Sequence, residues 1–143
     1  MSPRLSRAIP ILLLLSLTAP AGLAQPSWKP EAADLLFASG RDGNSEVYVL
    51  RAGQREWTNL TLHEAGDNWP VWSPDGSRIA FQSRRQGNLD IWVMAADGSN
   101  QRQLTTDPAD EAQPCWSVGG YIYYTRKASE TSSHIFRIKA PAA

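Results

Sequence analysis

A single cysteine, Cys115, occurs in the 143 residues, so no disulfide can close within the chain and packing alone must hold it. An excess of charge is also missing, because 14 basic residues balance 14 acidic ones. No basic field exists to gather nucleic acid or anionic lipid, and neither is expected as a partner. There are only two histidines, His63 and His134. Neither has a Ser or carboxylate at a spacing that suggests a triad, and both read as surface residues. No EF-hand loop, zinc-ligand cluster or P-loop occurs, so no cofactor and no metal is expected from a motif. Cys115 sits in "QPCWS" and reads as a small buried apolar residue rather than a reactive thiol.

Turn-forming and aromatic residues are plentiful instead. Ten glycines, ten prolines and six tryptophans point to many short strands rather than long helices. Arg4 and Arg7 precede the apolar run "IPILLLLSLTAPAGLA", and small residues follow at Ala19, Ala21, Gly22 and Ala24. This order is that of a secretory signal peptide over residues 1–24. A membrane anchor needs about 20 apolar residues, and the run here is shorter and carries Pro10 and Pro20. Cleavage after Ala24 (Ala21 is the alternative) gives a periplasmic or secreted protein without stable membrane insertion.

The remaining chain repeats itself. Residues 26–69 laid over 70–113 without a gap give 13 identities in 44 positions. Trp28 falls on Trp72, Pro30 on Pro74, Phe37 on Phe81, Arg41 on Arg85, Asn44 on Asn88, and Leu60-Thr61 on Leu104-Thr105. A third, shorter copy starts at Pro114. There Trp116-Ser117 repeats Trp72-Ser73, two residues are missing from the turn, Tyr123 stands for Phe81, and Ile135-Phe136 stand for Ile91-Trp92. The copies are read as 25–69, 70–113 and an incomplete 114–143.

Each copy reads as four strands. In the middle copy these are "PVWS", "RIAFQS", "DIWVMAA" and a last one around "QRQLT". Ser73-Pro74-Asp75-Gly76 suits a type I turn joining the first two. Ile79 and Phe81 alternate with Ala80 and Gln82, and Ile91 and Val93 with Trp92 and Met94, so both faces of the sheet are apolar and must be covered. Four-stranded sheets with a period in the forties, stacked face to face, are propeller blades. The expected fold is all-β: a partial β-propeller of about three antiparallel blades, the third lacking its outermost strand. Trp28, Trp72 and Trp116 are expected to fill the gaps between blades, with Pro74, Asp75 and Gly76 building the turn.

"WSPDGSRIAFQSRRQGNLDIWVMAADGSNQRQLT" (72–105) resembles the Trp-Ser-Pro-Asp-Gly repeat of TolB-like propellers, a WD40-like arrangement. The first copy weakens the motif to Lys29-Pro30-Glu31-Ala32, and the third has lost Pro-Asp. The resemblance implies a non-catalytic exported module that binds another envelope protein or peptide, as in the Tol–Pal system. Similar blades occur in prolyl-oligopeptidase-like enzymes and oligogalacturonate lyases, so a truncated enzyme propeller, or a gene remnant without function, is the alternative. The peptidases' Gly-x-Ser-x-Gly is absent, and the nearest stretch, "WSVGG", is a repeat turn. The resemblance is to the propeller part of the family alone, and no counterpart of its N-terminal α/β domain is expected in these residues.

Asp67 and Glu111 each stand three residues before the proline that opens a copy. They are expected at one mouth of the propeller tunnel, where converging carboxylates bind a cation or a basic segment. The plainer alternative is that each caps or solvates its loop. Three blades span about half of a six-bladed ring, so a homodimer closing such a ring is the expected assembly.

Overall fold

The computed structural model describes residues 33–141. The expected signal segment 1–24 and the expected inner-strand residues Pro26, Trp28 and Pro30 lie outside the described residues. Those described contain ten strands and no helix. The first sheet holds β1 (Leu35–Ser39), β2 (Glu46–Leu50) and β3 (Thr58–Asn59). The second holds β4 (Asp67–Trp72), β5 (Arg78–Ser83), β6 (Asp90–Ala95) and β7 (Arg102–Gln103). The third holds β8 (Glu111–Trp116), β9 (Tyr121–Ser129) and β10 (Ser132–Lys139). Each sheet runs antiparallel in chain order, as a propeller blade does.

The alternation read from the sequence decides which face covers which. Ile79, Phe81, Trp92 and Met94 of the second sheet join Val47, Val49 and Leu60 of the first in one core. Ala80, Ile91 and Val93, on the opposite face, join Trp116, Ile122 and Tyr124 of the third sheet in another. The middle strands β5 and β6 are thereby enclosed between the flanking sheets, and Ile79, Ala80, Phe81 and Ile91 are wholly buried. The two tryptophans fill the gaps: Trp72 packs against the first core and Trp116 belongs to the second. Each also receives a guanidinium from the preceding sheet. Arg51 lies over Trp72 at 5.7 Å and Arg78 over Trp116 at 5.1 Å.

The repeated polar residues have repeated tasks. Asn44 donates from Nδ2 to Glu46 and to the carbonyls of His63 and Ala65, and Asn88 does the same to Asp90, Asp107 and Ala109. The Thr61 hydroxyl accepts the N–H of Val47 at 3.0 Å, as Thr105 accepts that of Ile91 at 2.9 Å. Backbone bonds then stitch neighbouring sheets together, from Asp67 N to Ser45 O at 2.7 Å and from Glu111 N to Leu89 O at 2.6 Å.

The Ser73–Gly76 turn closes with Gly76 N donating to Ser73 O at 2.9 Å, and Gly76 takes φ 71°. Asp75 accepts the hydroxyls of Ser73 and Ser77 and the N–H of Ser77. These three donors hold its carboxyl down at about 2.

Three expectations change. The inner strands begin at Asp67 and Glu111, ahead of the prolines at which the copies were divided. The residue equivalent to Phe81 is Tyr124, not Tyr123. Trp72 faces Ile79 and Trp116 faces Ile122, so only one residue is missing from the third turn, and Tyr124 is buried where Tyr123 is exposed. Cys115 is exposed rather than buried, because it faces Tyr123 on a strand whose outer face no further sheet covers among the described residues. Ile135-Phe136 do match Ile91-Trp92, since Phe136 pairs with Tyr124 as Trp92 pairs with Phe81.

Candidate functional site

The inner strands β4 and β8 share an irregularity. Between Asn68 and Val71, and again between Ala112 and Cys115, the pairing register slips. At each slip a residue before proline adopts a left-handed backbone, Trp69 at φ 51° and Gln113 at φ 56°. A bulky side chain takes that conformation only when its surroundings impose it. The sequence signal was the recurrent proline at 70 and 114, which cannot donate to a ladder and favours a bulge. The consequence is that Trp69 stands 57% exposed on an inner strand. Sequence reasoning did not single it out.

Asp67 and Glu111 open these same strands, and both are enclosed, at 0% and 1% exposure. The basic partner expected for Asp67 is in the chain itself: Arg85 donates to Asp67 Oδ2 at 2.7 Å, and both side chains are withdrawn from water. Arg85 also lies over the Trp92 ring at 4.9 Å and the Phe81 ring at 5.5 Å, which fixes the guanidinium between blade core and carboxylate. Arg126, from a different repeat position opposite Glu111, makes a more exposed pair of this kind at the third sheet. It lies over Phe136 at 3.6 Å and donates to Asp107 at 2.5 Å.

Glu111 lies near a second buried acid, Asp90. Burial first, and then the charge of Glu111, pushes the Asp90 carboxyl up from its ordinary value. Burial and Glu111 likewise raise the Tyr124 hydroxyl. Among the described residues, no group of three or more His, Cys, Asp or Glu side chains is placed to hold a metal ion.

The histidines lie in separate elements. The Nδ1 of His63 accepts the N–H of Ala65 at 2.9 Å, which ties the ring to its own loop. His134 lies in β10 opposite Arg126.

The outward faces of the terminal sheets differ. In the first, Trp57 stands edge-on to Phe37 at 5.0 Å and to Tyr48 at 6.5 Å, with Arg41 over Trp57 at 5.2 Å. In the third, Ile135 is 78% exposed, although its equivalent Ile91 is wholly buried.

A family model described as TolB beta propeller domain matches residues 18–142. Among solved structures, a protein of Agrobacterium tumefaciens classed as a TolB is similar, with a TM-score of 0.69 and 23% identity over 78% of this chain and 43% of its own. TolB from Acinetobacter baumannii is similar with a TM-score of 0.62 and 21% identity, over 78% of this chain and 28% of its own. The chain thus spans less than half the length of either. No curated protein matches the sequence.

Proposed function

The chain belongs to the TolB beta propeller domain family, and from that premise we propose that it is a non-catalytic, exported interaction module of the cell envelope, working in the periplasm or outside the cell. Its partner is another envelope protein or peptide. One observation carries this reading: Trp69, an aromatic side chain 57% exposed, is held out on an inner strand by a backbone at φ 51°. Exposed aromatics on rigid, strained positions are favoured anchors for protein partners. The repeated polar residues are engaged within the fold, and the two histidines lie in separate elements, which does not favour a peptidase or lyase propeller.

Assembly is part of the proposal. In both inter-sheet cores the Trp-bearing face of a later sheet covers the Ile91-type face of an earlier one. The third sheet leaves an Ile91-type face open at Ile135, and the first presents Phe37 and Tyr48 under Trp57. Two copies meeting through these faces, with Trp57 displaced, would close a six-bladed ring with two-fold symmetry.

Fractionation and N-terminal sequencing test the export, and incubation of the purified chain with peptide and ester substrates tests the lack of chemistry. The expected result is a periplasmic or released chain starting at or near Gln25, with no turnover. An intact Met1 in the membrane fraction, or turnover abolished by a single serine or histidine substitution, would overturn the reading.

A further inference from the structure

The two junctions between sheets are built from equivalent acids, and their charges are met differently. At the first junction Glu46 opens β2 and Asp67 opens β4, tied by Asp67 N donating to Ser45 O at 2.7 Å. At the second, Asp90 opens β6 and Glu111 opens β8, tied by Glu111 N donating to Leu89 O at 2.6 Å. All four side chains are buried. Glu46 takes Asn44 at 2.9 Å, the Thr61 hydroxyl, and the His63 N–H at 3.1 Å. Arg85 meets the charge of Asp67 at 2.7 Å, although Asp67 Oδ1 has no hydrogen-bond partner. The second junction has no such settlement. Asp90 is one methylene shorter than Glu46, and it has Asn88 at 3.5 Å with the Gln103 side chain beside it. Ser83 faces Asp67 and Arg126 faces Glu111, so the residue standing where Arg85 would be is Ala128. Among the described residues no cation forms an ion pair with Asp90 or Glu111, and Glu111 Oε2 is buried without a partner.

The charged neighbours are committed elsewhere. Arg126 turns to Asp107 and Phe136, Arg84 pairs with Asp110 at 3.6 Å, and Lys127 pairs with Glu130 at 2.9 Å. Asp110 adds negative charge near Asp90, and the Tyr124 hydroxyl beside Glu111 is neutral. Two enclosed carboxylates without a counterion ionise together only at high cost, and one bound proton removes that cost. We propose that Asp90 and Glu111 share one proton, which latches the third sheet to the second, and that its loss as the pH rises loosens this junction and not the first. Burial, and then the Glu111 charge, push the Asp90 carboxyl up from 3.8, the direction such a latch requires. A carboxyl raised in the folded chain favours folding fully below its ordinary value, and that contribution is lost as the pH rises through the raised one. The junction at Asp67 and Arg85 is settled by an arginine and serves as the reference within the same molecule.

Amide hydrogen exchange of the full-length chain, followed by NMR, reads the two junctions separately. The Glu111 and Asp67 amides make the equivalent bonds, to Leu89 O and Ser45 O. Protection of the Glu111 amide relative to that of Asp67 should fall as the pH is raised from about 4 to about 8. The fall should approach about tenfold per pH unit between the ordinary and the raised value, and then level off. Asp90→Asn stays neutral at every pH with nearly the same shape, so it should hold the ratio constant. A ratio that does not move with pH in the unaltered chain would overturn the latch. So would a ratio that moves in Asp90→Asn as it does in the parent. If Asp90→Asn does not fold, the carbon-13 resonance of the Asp90 carboxyl in the unaltered chain decides. Titration above the ordinary value supports the latch, and titration at or below it overturns the latch.

Discussion

Arg85 holds the carboxylate of Asp67 at 2.7 Å with both side chains out of contact with water. The pair joins the start of an inner strand to the loop after β5, and the aromatic rings of Phe81 and Trp92 confine the guanidinium. Asp67→Asn leaves the Arg85 charge buried without its counterion, which costs about 3–5 kcal/mol. Removing both charges with Asp67→Asn and Arg85→Met should cost less than the sum of the single changes, as urea unfolding of the four chains would show. Additive losses would mean that the two residues do not act as a pair.

Trp116 is 8% exposed and bridges the second and third sheets, under Arg78. Trp116→Ala should lower stability by roughly 3–5 kcal/mol, as truncation of a buried aromatic does. Trp72, which is only half-buried, should cost less on the same substitution. A thermal melt unchanged by Trp116→Ala would show that the ring serves a ligand rather than the core.

The turn carboxylate of Asp75 lies at about 2, below its ordinary 3.8. It therefore stabilises the fold above pH 3.8, and that contribution disappears as the pH falls toward 2. Asp75→Asn should melt earlier than the parent at neutral pH, and the difference should close on acidification. A difference that stays constant across this range would exclude the carboxylate as its source.

Gly98 takes φ 87°, and a Cβ there would meet the Leu60 carbonyl oxygen at 2.6 Å. The turn after β6 thus rests directly on the backbone of the first sheet. Gly98→Ala should cost about 2 kcal/mol or more, from both the left-handed backbone and the clash. Calorimetry checks this, and a neutral result would mean that the two sheets do not approach so closely.

The blade pattern was legible because its causes are periodic. Alternation of Ile79, Ala80, Phe81 and Gln82 states which side chains enter which core, and the spacing of Trp72 and Trp116 states how often a gap must be filled. The roles of Asn44, Asn88, Thr61 and Thr105 were visible only as repeated letters. Their hydrogen bonds reach 14 to 21 residues along the chain, farther than any local rule extends. The third copy misled by one position, because a shortened turn shifts every later residue and Tyr123 and Tyr124 are identical neighbours. Cys115 was misread because burial depends on a covering sheet, not on the residue. Asp67 and Glu111 were read as tunnel-mouth or loop-capping acids ahead of the inner strands, because sequence does not say that the strands start at these residues and enclose them. Trp69 was missed because its exposure comes from the bulge before Pro70, where Trp72 and Trp116, the same residue type, are packed inside.

The interaction role is tested most directly by placing a photo-crosslinking amino acid at position 69 and irradiating living cells. Position 118, where Val118 is 95% exposed on a turn, serves as the control. The account predicts one discrete adduct with an envelope protein from position 69 and none from position 118. No adduct at 69, or the same adducts from both positions, would contradict it.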